Sequence, residues 1–152
     1  MSEVVIREAV DEDLLEALRL SKDVHQEGSF KNSKFDDKKA ALLFFDILNS
    51  DDKCFYFAEK NGKLVGFIAG GVNEYFFGPE TILSDYSWFV CKELRGTRVG
   101  IDLLNRFIEF GDKKNVSEVC MGISTKINLD KTQKVLESQN FIHMGGTFKL
   151  KR

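Results

Sequence analysis

The stretch Arg95-Gly96-Thr97-Arg98-Val99-Gly100 constrains this chain more than any other. Before it lies an apolar run, Tyr86-Ser87-Trp88-Phe89-Val90, that reads as a strand. After it comes Ile101-Asp102-Leu103-Leu104-Asn105-Arg106-Phe107-Ile108, which reads as a helix. A glycine-bearing turn from strand to helix aims several backbone N–H groups at one spot, and the helix dipole adds positive potential there. Two arginines inside the turn add fixed charge and forked donors. Phosphate oxygens fit such a turn. The lysine-bearing loop of nucleoside triphosphatases, G-x-x-x-x-G-K-[S/T], is absent, and so is the dinucleotide fingerprint G-x-G-x-x-G. A third pattern, the acyl-CoA loop [R/Q]-x-x-G-x-[G/A], is met by Arg95, Val99 and Gly100, with Arg98 where glycine is usual.

Size and charge narrow the field. With 152 residues, 43% of them apolar, the chain suits one soluble domain over residues 1–152 with its own core. A net charge of -2 leaves no overall basic field for nucleic acid. The apolar runs are too short to span a bilayer, and the first residues carry no basic-then-apolar leader, so a cytoplasmic protein is expected. Cys54, Cys91 and Cys120 lack metal-like spacing and read as reduced thiols. No metal is implied, and His25 and His143 read as surface or edge-strand residues.

The pattern along the chain predicts β-α-α-β-β-β-α-β-α-β-β, an α+β domain with four helices and seven strands. Asp11 caps the first helix, and Asn61-Gly62 closes a hairpin. The strand after the third helix is expected over Val116 to Ser124, and two short strands, Phe141 to His143 and Thr147 to Leu150, end the chain. Alternation along the central strand puts Asp85, Ser87 and Phe89 on one face and Ser84, Tyr86, Trp88 and Val90 on the other. Asp85 and Tyr86 share a face only if the strand carries a bulge.

On these segments the chain resembles the Gcn5-related N-acetyltransferase (GNAT) family, most closely the small members common in bacteriophages and proteobacteria. Ser84-Asp85-Tyr86-Ser87-Trp88-Phe89-Val90, the Arg95–Gly100 loop, Cys120-Met121-Gly122-Ile123-Ser124-Thr125 and Gly146-Thr147-Phe148-Lys149 carry the likeness. The resemblance implies an α/β/α layered fold around a mixed, mostly antiparallel sheet of about seven strands. It implies acetyl-CoA as co-substrate, with the backbone of Trp88, Phe89 and Val90 holding the pantetheine arm. The N–H groups from Thr97 to Gly100, with Arg95, Gly96 and Arg98, would hold the pyrophosphate. Asn128 and Thr132 stand where the family contacts pantetheine or adenosine. It also implies a homodimer through the terminal strands, with Thr147 to Arg152 exposed for it.

The reaction so implied is acetyl transfer to a primary amine by direct attack in a ternary complex. The acceptor must lose a proton first, since a free lysine-type amine has a pKa of about 10.4. Asp85 is the first candidate for that task, Glu74 the second, and Tyr86 a candidate acid for the departing thiolate. Asp85 has a plainer reading too, as a charge that pins a strand end. An N–H near Val90 is the expected oxyanion donor. The acceptor is left open between a small molecule, a protein lysine or N-terminus, and an amine-bearing modified nucleobase. One departure stands out. Many members carry a tyrosine in a Leu-Tyr-x-x-x-Gly run of the fourth helix, where this chain has Leu136 and Asn140. Leucine donates no proton. A catalytically weak or inactive CoA-binding protein of the phage type is therefore the rival reading.

Overall fold

A computed structural model describes residues 3–125 and 127–152. Its scaffold is a sheet of five strands in the order β1-β2-β3-β4-β5: Val4–Glu8, Lys53–Lys60, Lys63–Glu74, Thr81–Val90 and Glu118–Cys120. The first four pair antiparallel, and β4 pairs parallel with β5. Four helices flank it: α1 (Leu14–Glu27), α2 (Asp37–Leu48), α3 (Val99–Lys113) and α4 (Leu129–Ser138).

The seven-strand expectation is corrected to five. Residues 141–150 form no strand, and the expected strand over Val116 to Ser124 shrinks to Glu118–Cys120. A strand needs a partner for its N–H and C=O groups. Past Cys120 none of the described residues pairs with this segment as a strand.

Alternation along the strands splits the core in two. Tyr56, Ala58, Ile68 and Leu83 face α3, where Val99, Leu103, Leu104 and Phe107 recur at helical spacing. Phe57, Leu64, Phe67 and Phe89 face α1 and α2, joined by Leu20 and Phe44. On that side Phe55 lies 4.8 Å from Phe57 and 5.5 Å from Phe44, ring to ring, in tilted and edge-on contacts. Each such side chain contributes about 1.5–3 kcal/mol by leaving water.

The start of α1 differs in detail from expectation. Asp11–Asp13 form one tight 3-10 turn, and Asp13 rather than Asp11 makes the cap-like contact, accepting from Val10 N at 2.9 Å. Asp13 also takes both forks of Arg7, at 2.8 and 2.9 Å. That pair ties β1 to α1, and the Arg7 hydrogen bonds hold the Asp13 carboxyl below its usual range.

Candidate functional site

Strand β4 carries a bulge. Ala69 pairs with Ser87 while Gly70 pairs with Asp85, so Tyr86 is the extra residue. The consequence is a change of face. Leu83 packs on the α3 side and Phe89 on the α1–α2 side, although an even spacing would put them together. Asp85 therefore shares the α3 face with Leu83, and the expected grouping of Asp85 with Ser87 and Phe89 is corrected. The bulge does not gather Asp85 and Tyr86 either. Asp85 pairs with Gly70, whose missing Cβ would point at Phe107 of α3, whereas the Tyr86 hydroxyl lies over Gly71 beside Lys53, on the opposite face.

One edge of β4 is closed and the other is open. Its pairing with β3 runs from Thr81 to Val90, but its pairing with β5 covers only Ile82, Leu83 and Ser84. Beyond that, Asp85 Oδ1 accepts from Gly122 N at 2.9 Å, and the two chains part. The segment after Gly122 runs to the end of α1, where Ser29 N donates to Thr125 O at 2.8 Å and Ser29 Oγ to Ser124 O at 2.6 Å. A V-shaped gap results, with Asp85 at its apex. Cys91 N donates to Val65 O of β3, so by alternation Trp88 and Val90 direct their N–H and C=O groups into the gap. Burial raises the Asp85 carboxyl above its usual range, and the Gly122 N–H offsets part of that.

The loop that follows closes the wide end of the gap. Gly96 has φ +84°, a backbone state that side-chain-bearing residues rarely adopt. Thr97 N is engaged with Leu94 O, and Thr97 Oγ1 donates to the same carbonyl at 2.5 Å. Of the first α3 residues, Gly100 and Ile101 present the N–H groups that a helix start leaves without an intrahelical acceptor, while Val99 N donates to Thr97 Oγ1 at 3.4 Å. Gly100 sits against the Trp88 ring, 3.5 Å from where its Cβ would be, so this end of the helix rests on β4. The indole Nε1 of Trp88 is buried and has no partner among the described residues.

Arg95 turns inward. Its Nε donates to Val90 O at 2.8 Å, its two terminal nitrogens grip the Glu27 carboxylate, and the guanidinium lies over the Phe89 ring. Glu27 is the residue that sequence reading missed. An acid in the last turn of a helix opposes the dipole, and that misfit was the one available signal that it answers a cation elsewhere. Arg98, by contrast, is largely exposed and reaches only Asp102, at 3.6 Å.

The other candidates lie apart. Glu74 ends β3 and pairs with Thr81, four residues and about 13 Å of strand from Asp85. Asn128 takes a left-handed turn (φ 46°) and its carbonyl accepts from Thr132 N at 2.9 Å at the start of α4. Leu136 is buried in the α3-side core. Asn140 adopts φ 70°, the conformation glycine usually supplies at a helix end. His25 is half-buried rather than fully at the surface: both ring nitrogens are covered, and the ring stands edge-on to Phe35 at 5.5 Å.

A parallel pair splayed open beside a helix start leaves strand and helix N–H groups facing one gap in an α+β fold, an arrangement suited to an extended, phosphate-ended ligand. Comparison with known proteins makes the arrangement particular. The sequence pattern of the Acetyltransferase (GNAT) family matches residues 12–141, and the chain belongs to that family. An uncharacterized N-acetyltransferase of Methanocaldococcus jannaschii is 28% identical over 125 residues, 80% of this chain and 54% of the relative; the chain thus spans about half the length of that protein. Among solved structures, the aminoglycoside N-acetyltransferase AAC(6′)-Iy, in complex with the bisubstrate analogue CoA-S-monomethyl-acetylneamine, has the same fold, with a TM-score of 0.79 at 21% identity over 99% of both chains. A predicted acetyltransferase of Clostridium acetobutylicum, solved with acetyl-CoA, matches with a TM-score of 0.80 at 15% identity over 98% of this chain and 96% of its own. Among the described residues, no helix is long and apolar enough to cross a membrane.

Proposed function

We propose that this chain, as one domain over residues 1–152, transfers the acetyl group of acetyl-CoA to a primary amine by direct attack in a ternary complex. The observation that carries the reading is the open edge of β4, which runs from the start of α3 to the Asp85–Gly122 apex. Backbone groups of Trp88 and the N–H of Val90 would pair with the amides of the pantetheine arm, the Val90 carbonyl being held by Arg95. The N–H groups of Arg98, Val99 and Gly100, with the Arg98 guanidinium, would hold the diphosphate. In this reading Arg95 acts from behind, since its clamp on Glu27 and Val90 O sets the loop's shape. Asn128 and Thr132 would border the carrier from the α4 side.

The thioester would end at the apex. Asp85, with its pKa raised by burial, is the base that frees the amine there, whereas the Val90 N–H, expected as the oxyanion donor, lies at the wide end of the gap, five residues along β4. Burial raises the pKa of the Cys54 thiol, to about 12, and that of Cys91, so neither is a ready acyl-accepting thiolate. Leu136 gives no proton to the leaving thiolate; Tyr86 or water would do so. Glu74, at the end of β3, and Glu80, in the loop before β4, lie about 13 Å along the strand from Asp85 and lean the acceptor toward an extended cationic molecule or peptide. An aminoglycoside, the acceptor class of AAC(6′)-Iy, belongs first in any panel.

The reduced thiols fit a cytoplasmic setting, the Arg95–Gly100 loop fits the small phage-like subgroup, and exposed ends fit pairing of two copies. The test is release of free thiol from acetyl-CoA against an amine panel, together with titration calorimetry. Micromolar binding and acceptor-dependent release are expected. Asp85→Asn should lower kcat about 100-fold and abolish the acidic limb of the pH profile. Tight binding without release would convert the reading to a CoA-binding protein, and no heat at millimolar ligand would end it.

A further inference from the structure

The loop between β3 and β4 carries two aromatic rings into solvent and holds them there. Phe76 is fully exposed and Phe77 is 75% exposed. Adjacent large apolar side chains left bare mark a surface that something else covers. The loop is not slack. Tyr75 N donates to Glu80 O at 3.0 Å and Gly78 N to Tyr75 O at 3.3 Å, which closes the turn on itself. The Phe77 ring stacks on Tyr75 at 5.0 Å, and Phe76 stands edge-on to Phe77 at 5.3 Å. The Tyr75 hydroxyl donates to the Glu118 carboxylate and so ties the loop to β5. A partner that buries rings already fixed in place loses little entropy in ordering them.

Charge selects the partner. Glu74 and Glu80 flank the rings, and Glu118 stands behind Tyr75. Val72 N donates to Asp52 O at 2.7 Å, which adds Asp52 to the same end of the sheet. The cations close by are occupied, Lys53 with Asp46 and Lys114 over the Phe110 ring. An apolar knob in an acidic rim suits a polypeptide segment that carries basic and apolar side chains together, and it repels an anionic lipid surface.

Position links the knob to the apex. Thr81 is four residues from Asp85, about 13 Å along β4, and the rings lie beyond it, so roughly 20 Å or about six extended residues separate the two places. Leu83 and Val119 pack on the α3 side, so by alternation Glu118, Cys120 and Tyr86 share the other face. All three are exposed, which leaves an open track from apex to knob. A small amine fills only the apex, whereas an extended polypeptide spans the track. We infer that the Phe76–Phe77 knob is an exosite for a polypeptide acceptor, binding a basic and apolar stretch about six residues from the amine that is acetylated, a conclusion that rests on the acetyl transfer proposed above.

The test uses synthetic peptides with blocked termini and one lysine, with Arg-Leu-Arg-Leu placed about six residues to either side of it. For one of the two directions, kcat/KM for thiol release should exceed by about tenfold that of the same peptide with a two-residue spacing, with Glu for Arg, or with Ser for Leu. Anisotropy of the labelled peptide should show the same preference in binding, and salt should weaken it. Phe76→Ser/Phe77→Ser should erase the advantage while the rate with a small diamine and the Tm stay unchanged, because both rings lie in solvent. Turnover of the diamine with peptide rates that depend on neither spacing nor the two rings overturns the exosite alone. Thiol release with no acceptor at all overturns the transfer reading and the exosite with it. Ring-dependent binding to vesicles of anionic lipid in place of the peptide overturns the exosite in favour of a membrane surface.

Discussion

The two edges of β4 have opposite fates. Toward β3 the strand is paired along its whole length, and the only irregularity is the bulge at Tyr86. Toward β5 it is paired for three residues and then held by one side-chain contact, Asp85 to Gly122. The closed edge contributes rigidity, and the open edge keeps backbone donors and acceptors available for a ligand. One strand does both because successive residues address opposite edges. The bulge adds a second effect, switching which core each half of the strand serves.

The comparison breaks most sharply at the closed edge. A methyl group on Gly70 would collide with the backbone oxygen of Ser84 and press on the Phe107 ring. Gly70→Ala should therefore cost about 3 kcal/mol, read from urea unfolding, because neither group can yield cheaply. At the wide end of the open edge, Glu27→Gln removes the charge that holds Arg95 against Val90 O. A loss of about 1–2 kcal/mol in stability and roughly tenfold in acetyl-CoA affinity should follow, measured by thermal shift and calorimetry. At the apex the sign reverses. The Asp85 carboxyl has its pKa raised by burial, so its charged form is disfavoured in the folded state. Asp85→Asn should raise stability at neutral pH by under about 1 kcal/mol while activity falls. That gain should shrink as pH drops through the raised pKa, where the natural side chain is neutral as well. The smallest effect belongs to Gly71→Ala. Its methyl would push aside the far end of the Tyr86 side chain and brush the flexible Lys53 stem, both able to yield, so stability should change by less than about 1 kcal/mol. A change in the pH dependence of thiol release in that variant would identify Tyr86 as the group serving the leaving thiolate.

Much of this was legible residue by residue. The helical spacing of Val99, Leu103, Leu104 and Phe107 marks α3, and Asn61-Gly62 marks the β2–β3 turn, with both residues at positive φ. Asn140 stands for glycine because asparagine tolerates the same left-handed state. The bulge was not legible, since nothing in Asp85-Tyr86-Ser87 announces an extra residue. Neither was the partner of Arg95, for Glu27 lies 68 residues away. The tail shows the other kind of miss: its alternation is that of a strand, but a strand exists only where a partner strand is.

By itself, then, the order of amino acids settled what is local: which runs are helical, where chain reversals fall, and that a glycine turn opens α3 with unpaired amides. The folded chain alone decided which distant groups meet, where β4 loses its neighbour, and which way Arg95 and Asp85 face. The reason is physical. Periodicity and turn chemistry act over a few residues, whereas pairing register, burial and ion pairs depend on distances that exist only once the layers have packed.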